Sequence, residues 1–401
     1  MPAPLEGLRI LDLTILINGP WATVLLADMG AEVIKVEDPA RPDPYRGDVH
    51  GGVDPRTGMR TYFETMNRGK RSITLDLKKP RGREVFYRLV RDADVVISNF
   101  RPGVVERLGV DYARLVEHNP RIITVTASGL GRSGPDAGQG VVDLTGQSRS
   151  GYLSLTALED GSPRYVGSHA LADQVGAMML AYGTLLAVLA RERHGVGQDV
   201  EVSQLGSMLS LQSLALNNYL FMGVEPPLPS RSRPPNPIFN LYRARDGRWL
   251  SLACIHFTRH WGPVCRALGL EAHADASMPD ASEAGQAQSA KLARLLEQTF
   301  ARDDRDAWLE KLRAEDVVCA PVQTYPELVE DPQVAANDLI AELEHPQAGR
   351  VREVGLAVKL SHTPGRIETT APEHGQHTEE LLLAHGFTWD DITALRAEEV
   401  L

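Results

Sequence analysis

The feature that most constrains the fold is a strand, helix, strand pattern that begins at residue 8 and recurs. Residues 8–13 form a short apolar run typical of a strand, and residues 19–29 form an apolar helical segment that Gly30 can end. Residues 31–36 again have the pattern of a strand. The alternation continues, with helical segments at 82–91 and 104–108 and strand-like segments at 93–97 and 121–127. Strands that alternate with helices form parallel sheets, so the pattern predicts an α/β fold.

A proline-rich segment divides the chain. Residues 225–237 contain six prolines, which exclude both a helix and a central strand. A chain of 401 residues also exceeds one typical globular unit. We therefore predict a large Rossmann-like domain over 1–224, a linker over 225–237 and a smaller α+β domain over 238–325.

Composition narrows the function. The chain has 42 basic and 53 acidic side chains, and its net charge of -11 argues against nucleic-acid binding. The cysteines Cys254, Cys265 and Cys319 have no C-x-x-C spacing, so we expect neither a disulfide framework nor a metal site. Residues 1–6 do not have the pattern of a secretory signal. We expect a cytoplasmic enzyme.

The longest apolar helical segment covers residues 171–190. Asp173 and Gln174 interrupt it, and it is rich in alanine and glycine, so we predict a buried helix rather than a membrane span. Asp173 stands near the start of this helix and has two interpretations. It is either a helix-capping aspartate, stabilised by free backbone N–H groups, or a buried carboxylate retained for chemistry.

Short motifs follow one another in a fixed order along the chain. They are Gly7–Thr14, Gly19–Pro20, Leu26–Glu37, Asn67–Ser72, Asn99–Gly103, Gly129–Gly131 with Gly134–Pro135, Ala172–Asp173, Gly195–Gln198, Ala320–Val322 and Gly375–Glu379. In this order they resemble the class III CoA-transferase family, whose members include formyl-CoA and L-carnitine CoA-transferases. The resemblance implies a large domain built from both chain ends, so that residues 326–401 return to it, and an interlocked homodimer.

The resemblance also implies the chemistry. Coenzyme A is the co-substrate, no cofactor is tightly bound, and the partners are an acyl-CoA and a free carboxylic acid. Asp173 matches the aspartate that attacks the thioester and carries the acyl group in a covalent intermediate. An aspartate with an ordinary pKa near ~3.9 is already ionised at neutral pH, so no neighbouring base is required. Gly129, Gly131 and residues 138–140 are candidates for backbone donors to the oxyanion.

Two basic clusters are candidates for binding the phosphate groups of CoA, the alternative being solvated basic faces. One contains Lys70 and Arg71, and the other contains Arg101 and Arg107. No G-x-G-x-x-G follows the first strand, so a dinucleotide site is not predicted. The resemblance places CoA contacts at Leu16, Ile17, Asn18, Ile73, Asn99 and Arg107.

Two other functions stay open. An α-methylacyl-CoA racemase shares this fold, but it pairs its aspartate with a histidine, and Val142 stands where that histidine is expected. His169, close to Asp173, keeps the racemase open. A non-catalytic acyl-CoA-binding subunit is the second alternative. The sequence names no donor or acceptor acid, although the absence of a glycine-rich run between Pro237 and Ala320 argues against formate and oxalate.

Overall fold

The computed structural model describes residues 2–47, 52–228 and 230–401, without the side chain of Ser168; Pro229 of the predicted linker lies outside them. The chain divides into two compact units. One comprises Met1–Ser154, Tyr165–Pro226 and Ala336–Leu401, and the other comprises Leu155–Arg164 and Pro227–Ala335. The sequence analysis assigned residues 155–164 to the large domain, whereas here they group with the second unit.

The first unit is built on a six-stranded parallel sheet, which confirms the predicted α/β class. Its strand order is β3-β2-β1-β4-β5-β6, the order of a Rossmann fold. All five strand pairs are parallel. The strands are β1 Arg9–Asp12, β2 Glu32–Glu37, β3 Lys70–Thr74, β4 Val95–Ser98, β5 Ile123–Ser128 and β6 Asp199–Ser203.

Helices follow most of these strands. They are α1 Asn18–Ala27, α2 Thr61–Asn67, α3 Pro80–Val90, α4 Val104–Leu108, α5 Tyr112–His118, α6 Asp143–Arg149, α7 Tyr152–Leu155, α8 Leu171–His194, α9 Gln204–Leu211 and α10 Ser213–Met222, with 3₁₀ turns at Pro44–Arg46 and Gly167–His169. Side chains alternate between the two faces of the sheet. Ile10 faces the core that includes α1 and α8, whereas Leu11 faces the core that includes α3 and α5.

The second unit contains a three-stranded antiparallel sheet of order β7-β8-β9. Trp261, Phe300 and Trp308 are buried in its core. Its elements are β7 Phe239–Arg243, β8 Trp249–Ala253, α11 Phe257–Leu268, a 3₁₀ turn Glu271–His273, α12 Glu283–Phe300, α13 Arg305–Ala314, β9 Cys319–Val322, α14 Tyr325–Val329 and α15 Pro332–Ala336.

The C-terminal segment belongs to the first unit. It forms an antiparallel hairpin of β10 Ile340–His345 and β11 Gly349–Val354, followed by α16 Thr378–Ala384 and α17 Trp389–Ala397. Leu381, Leu382 and Leu395 are fully buried in the same core as Leu11. The last residues of the chain therefore complete the sheet core that the first strand begins.

Helix α8 packs against the sheet through small side chains. Gly176, Ala177, Ala181 and Thr184 are buried together with Leu180, whereas the other large apolar side chains are mostly exposed, among them Met178, Tyr182, Leu185, Leu186 and Leu189. Among the described residues, this is the helix long and apolar enough for a membrane span, by length and composition only. The predicted buried helix is thus only half covered within the chain.

Candidate active site

The loop after β1 lies at the point where the strand order reverses, between β1 and β4. Ligands of open α/β sheets bind in the crevice at this point. Asn99, just after β4, fixes the loop: its amide donates to the carbonyl of Ile15 at 2.7 Å and accepts from the N–H of Ile15 at 3.0 Å. The next residue, Leu16, has a φ of 68°, an uncommon conformation for a side chain of this size.

Buried charged side chains fix the position of this loop. Lys35 donates to the carbonyl of Thr14 at 2.8 Å and forms an ion pair of 3.0 Å with Asp43. Asp12 accepts from the N–H of Thr14 at 2.8 Å and pairs with Lys70 at 2.9 Å. All four charged side chains are inaccessible to solvent. Buried charges persist only where they are paired, so these ion pairs keep the loop in a fixed position.

Two predicted CoA contacts are not available to a ligand. The ammonium of Lys70, besides Asp12, donates to Asn67 and to the carbonyls of Pro20 and Met66. Burial lowers the pKa of Lys70 to about 8. Ile73 is fully buried in the apolar core. These placements argue against the predicted contacts, because neither side chain can reach CoA without unpacking the sheet.

Arg71 also lies away from the crevice. It is at the amino end of β3, opposite the edge where ligands of parallel sheets bind. Its guanidinium pairs with Glu32 at 2.9 Å and with Glu380 at 2.9 Å. These ion pairs give Arg71 a structural environment away from the crevice, which argues against its predicted contact with phosphate.

Asp173 is in the first turn of α8 and is partly buried. Gln204, at the start of α9, donates to its Oδ1 at 2.7 Å. Asn18, at the start of α1, donates to its backbone carbonyl at 3.3 Å, and the Oδ1 of Asn18 is buried without a partner among the described residues. The structure therefore brings Asn18, from the loop end, to the predicted nucleophile.

Two glycines make these approaches possible. A Cβ at Gly146 would come within 2.6 Å of the Gln204 amide oxygen, and a Cβ at Gly176 would come within 2.1 Å of the Asn18 amide nitrogen. Any larger residue at these positions would displace the side chains that contact Asp173. Both glycines are thus part of the site although they carry no functional group.

Asp143, the first residue of α6, caps the helix of the nucleophile. Its Oδ1 accepts from the N–H of Ala172 at 2.7 Å and from the N–H of Asp173 at 3.4 Å. Its Oδ2 accepts from Gln147 at 2.8 Å and from the Tyr165 hydroxyl at 2.9 Å. The capping interpretation of Asp173 is therefore wrong, because a carboxylate from another helix satisfies these amides.

The environment changes the acidity of Asp173. Burial, and then the negative charge of Asp143, raise the pKa of Asp173 to about 7, while the hydrogen bond from Gln204 opposes this shift. The expectation of an aspartate with an ordinary pKa is corrected, because the environment favours the neutral carboxyl over the ionised form. Burial and the charge of Asp173 in turn raise the pKa of Tyr45 to about 12.

The remaining predicted side chains lie around the crevice. Arg101 and Arg107 are exposed, beside α4 and just beyond Asn99. Arg101 lies against Gly140, where a Cβ would come within 2.6 Å of its guanidinium. Of the suggested oxyanion donors, the N–H of Gly131 is already bonded to Ser128 at 3.1 Å and that of Gln139 to Asp136 at 3.0 Å.

The two positions on which a racemase would depend, Val142 and His169, do not provide a pair of bases at this site. Val142 is 62% exposed and precedes α6, and His169 is exposed in the 3₁₀ turn before α8. Across the residues that the structure describes, no group of three or more His, Cys, Asp or Glu side chains is placed to hold a metal ion.

Sequence reasoning missed Asp143 and Gln204 as parts of the site. Asp143 is 30 residues from Asp173 and Gln204 is 31 residues away on the other side. Neither spacing is helical, so no local pattern links them. One signal was available for Gln204, which lies directly after β6. The strand ends of a parallel sheet converge on the ligand crevice, so a residue at such an end is a candidate for the site.

Comparisons with known proteins bear on the identity of this fold and site. Residues 5–378 match the model of CoA-transferase family III. The chain is 35% identical over 386 residues to a succinyl-CoA:mesaconate CoA-transferase of Haloarcula marismortui, covering 94% of this chain and 95% of the relative. It is 31% identical over 421 residues to a formyl-CoA:oxalate CoA-transferase of Streptomyces avermitilis, covering 100% of both.

The comparison with a solved structure supports the same family assignment. A CAIB/BAIF family protein from Brucella suis is 29% identical and superposes with a TM-score of 0.83, covering 96% of this chain and 100% of that protein. A match to the family model over nearly the whole length, together with full-length relatives above 30% identity, is decisive. The chain belongs to CoA-transferase family III and is a CoA-transferase.

Proposed function

We propose that this CoA-transferase moves CoA from an acyl-CoA donor to a free carboxylic acid through a covalent intermediate on Asp173. One observation carries the proposal. Asp143 occupies the backbone amides at the start of α8, so the carboxylate of Asp173 is not used for capping and has Gln204 as its side-chain partner. A partly buried carboxylate of this kind, next to the ligand crevice, is available to react with a thioester.

The proposed reaction balances as two reversible exchanges. An oxygen of Asp173 attacks the thioester carbon, the carbon–sulfur bond breaks, and CoA leaves as the thiolate with a mixed anhydride on Asp173. The thiolate attacks the aspartyl carbonyl, which releases the first acid as a carboxylate and leaves an aspartyl-CoA thioester. The second acid then repeats these steps in reverse. Covalent splitting replaces one difficult exchange with several easier ones.

The raised pKa of Asp173 fits this role. Burial and the nearby charge of Asp143 make its ionised oxygen more basic than that of an ordinary aspartate. A more basic oxygen is a stronger nucleophile, and a carboxyl with a pKa of about 7 is still partly ionised near neutral pH. No separate base is needed to activate it.

For CoA, we propose contacts along the crevice and not along the first basic cluster. Leu16, Ile17 and Asn18 form the wall that Asn99 and the buried charges hold in place. Arg101 and Arg107 are exposed beside it and are suited to the phosphate groups of CoA. The ligand thus passes from a basic entrance to the carboxylate of Asp173.

We also propose a homodimer in the cytoplasm. Exposed apolar side chains are found on α8 and also on α10, where Leu214 is 81% exposed and Phe221 is 82% exposed. A surface of this kind marks a protein interface more often than a solvated one.

The three cysteines are free thiols, which fits the reducing conditions of the proposed cytoplasmic location.

The acids themselves are proposed by class. Relatives act, by name, on succinyl-CoA with mesaconate and on formyl-CoA with oxalate, so a carboxylic acid with a second carboxylate is the class to test first. A panel of acyl-CoA donors against mono- and dicarboxylic acids, scored for new CoA esters, identifies the pair.

The intermediate is tested with succinyl-CoA. The protein is incubated with succinyl-CoA, reduced with borohydride and digested, and the peptide that contains Asp173 is weighed by mass spectrometry. We expect a modified peptide in the parent and none in Asp173→Asn, with exposed Asp390→Asn as the matched control. Tight CoA binding without modification would favour a binding subunit. Exchange of the α-proton in deuterated water would favour a racemase.

A further inference from the structure

Asp143 makes an unusual set of contacts for a residue outside the nucleophile's helix. It is 7% exposed, and four donors surround its two oxygens: two backbone N–H groups of α8, the Gln147 amide and the Tyr165 hydroxyl. These acceptor contacts fit an ionised carboxylate, which has no proton to donate. The side chain is therefore fixed as a charged group.

The start of α8 needs such a partner. The first N–H groups of a helix have no acceptor inside the helix, and a side chain at the N-cap usually supplies one. Here the N-cap residue is Ala170, which has no side-chain acceptor and a left-handed φ of 45°. Asp143, from α6, supplies the acceptor that the N-cap residue lacks.

We propose that Asp143 is a positioning residue, which caps helix α8 from outside and thereby keeps the carboxylate of Asp173 free of the helix end and close to the thioester. This inference rests on the proposed role of Asp173. Asp143 touches no reacting atom in this scheme, since it acts through the helix end and through its charge.

The two effects of Asp143 on Asp173 are separable. Its hydrogen bonds hold the backbone of Ala172 and Asp173, whereas its charge raises the pKa of Asp173. The other groups around Asp173 are the neutral phenols Tyr45 and Tyr165 and the amides Asn18 and Gln204. Of these described neighbours of Asp173, Asp143 is therefore the one that carries a charge.

Two substitutions distinguish these effects. Asp143→Asn removes the charge and keeps an oxygen for the two backbone amides, although its NH2 group replaces the oxygen to which Gln147 and Tyr165 donate. Asp143→Ala removes the charge and every acceptor. Asp390→Asn, an exposed carboxylate at the start of α17, is the control for loss of one charge. Each protein is titrated by carboxyl ¹³C NMR, with Asp173→Asn identifying the Asp173 signal, and its Tm is measured.

We expect the titration midpoint of Asp173 to fall by about one pH unit in Asp143→Asn, because a neighbouring like charge disappears. Its Tm should fall less than that of Asp143→Ala, because the two backbone amides keep their acceptor while Gln147 and Tyr165 lose theirs. Asp143→Ala should lower the Tm by several degrees, because two buried amides lose their acceptor. Asp390→Asn should change neither quantity.

The rate of covalent labelling by succinyl-CoA is then measured from pH 5 to pH 9. In Asp143→Asn the acid limb should move down with the NMR midpoint, so that labelling at pH 6 gains relative to labelling at pH 8. The inference is overturned if the midpoint does not move in either variant, or if both variants lose the same Tm and the same fraction of labelling at every pH. Absence of labelling in the parent would instead contradict the proposed function, while the NMR titration would still decide the role of Asp143.

Discussion

At the scale of single residues, the site combines two carboxylates with opposite tasks. Asp143 is surrounded by donors and stays fixed, whereas Asp173 has fewer partners and a pKa raised to about 7 by burial and by Asp143. Paired carboxylates whose environments differ in this way are typical of functional sites. The sequence predicted a catalytic role for Asp173 through its motif, but it could not reveal the raised pKa, which depends on groups that are distant along the chain.

The raised pKa predicts that the nucleophile destabilises the fold. The pKa of Asp173 is about 7 in the folded state and 3.8 when exposed, so the folded state favours the neutral carboxyl. That contribution is complete below about pH 4 and is lost as the pH rises through 7. Asp173→Asn should therefore be more stable than the parent at pH 8.5, by at most about 4 kcal/mol and by less because the group is partly exposed.

Urea unfolding at pH 4 and pH 8.5 checks this prediction. At pH 4 the two proteins should differ little, since the carboxyl is largely neutral in the folded parent. A variant that is less stable than the parent at pH 8.5 would contradict the assigned acidity. Asp390→Asn, with an exposed carboxylate, should show no comparable gain.

At the scale of elements, α8 shows how much a helical pattern can mislead. The sequence located an apolar helix over residues 171–190, and the structure has it at Leu171–His194. A buried helix was predicted, yet the residues of α8 that are buried are mostly small, and many of its large apolar residues are exposed. Periodicity gives the existence of an apolar face but not which partner covers it.

The uncovered face of α8 predicts dependence on association. Replacement of both Leu186 and Leu189 by Glu places two charges on a surface that is exposed within one chain, each residue being 47% exposed. The large unit should still fold, but a dimer that buries this face should dissociate, because burying an unpaired charge costs several kcal/mol.

Light scattering after size-exclusion chromatography measures the change in mass, and circular dichroism checks that the variant is folded. Ile255→Glu, at a residue of the second unit that is 72% exposed, is the matched control and should keep the parent mass. An unchanged mass for the Leu186→Glu, Leu189→Glu variant would contradict the proposed interface.

At the scale of the whole molecule, segments that are far apart in the sequence form one hydrophobic core. The alternation of strands and helices predicted the parallel sheet, since each step is local. The contribution of α16 and α17 to the core behind β1 depends on contacts across some 370 residues, for which periodicity carries no information. The family resemblance supplied the expectation that residues 326–401 return to the large domain, and the described contacts place Ala336–Leu401 in the first unit.

The two cores predict separate effects of matched cavities. Leu382 on α16 and Leu296 on α12 are both fully buried, one in the sheet core of the first unit and the other in the core of the second unit. Truncation of a buried leucine to alanine costs about 2–5 kcal/mol. Leu382→Ala should therefore destabilise the first unit, including the crevice at Asn99, whereas Leu296→Ala should destabilise the second. Amide hydrogen exchange of β4 and of β8 checks this directly, because faster exchange should be confined to β4 in the first variant and to β8 in the second. Equal acceleration of both strands by either substitution would show that the two units unfold as one.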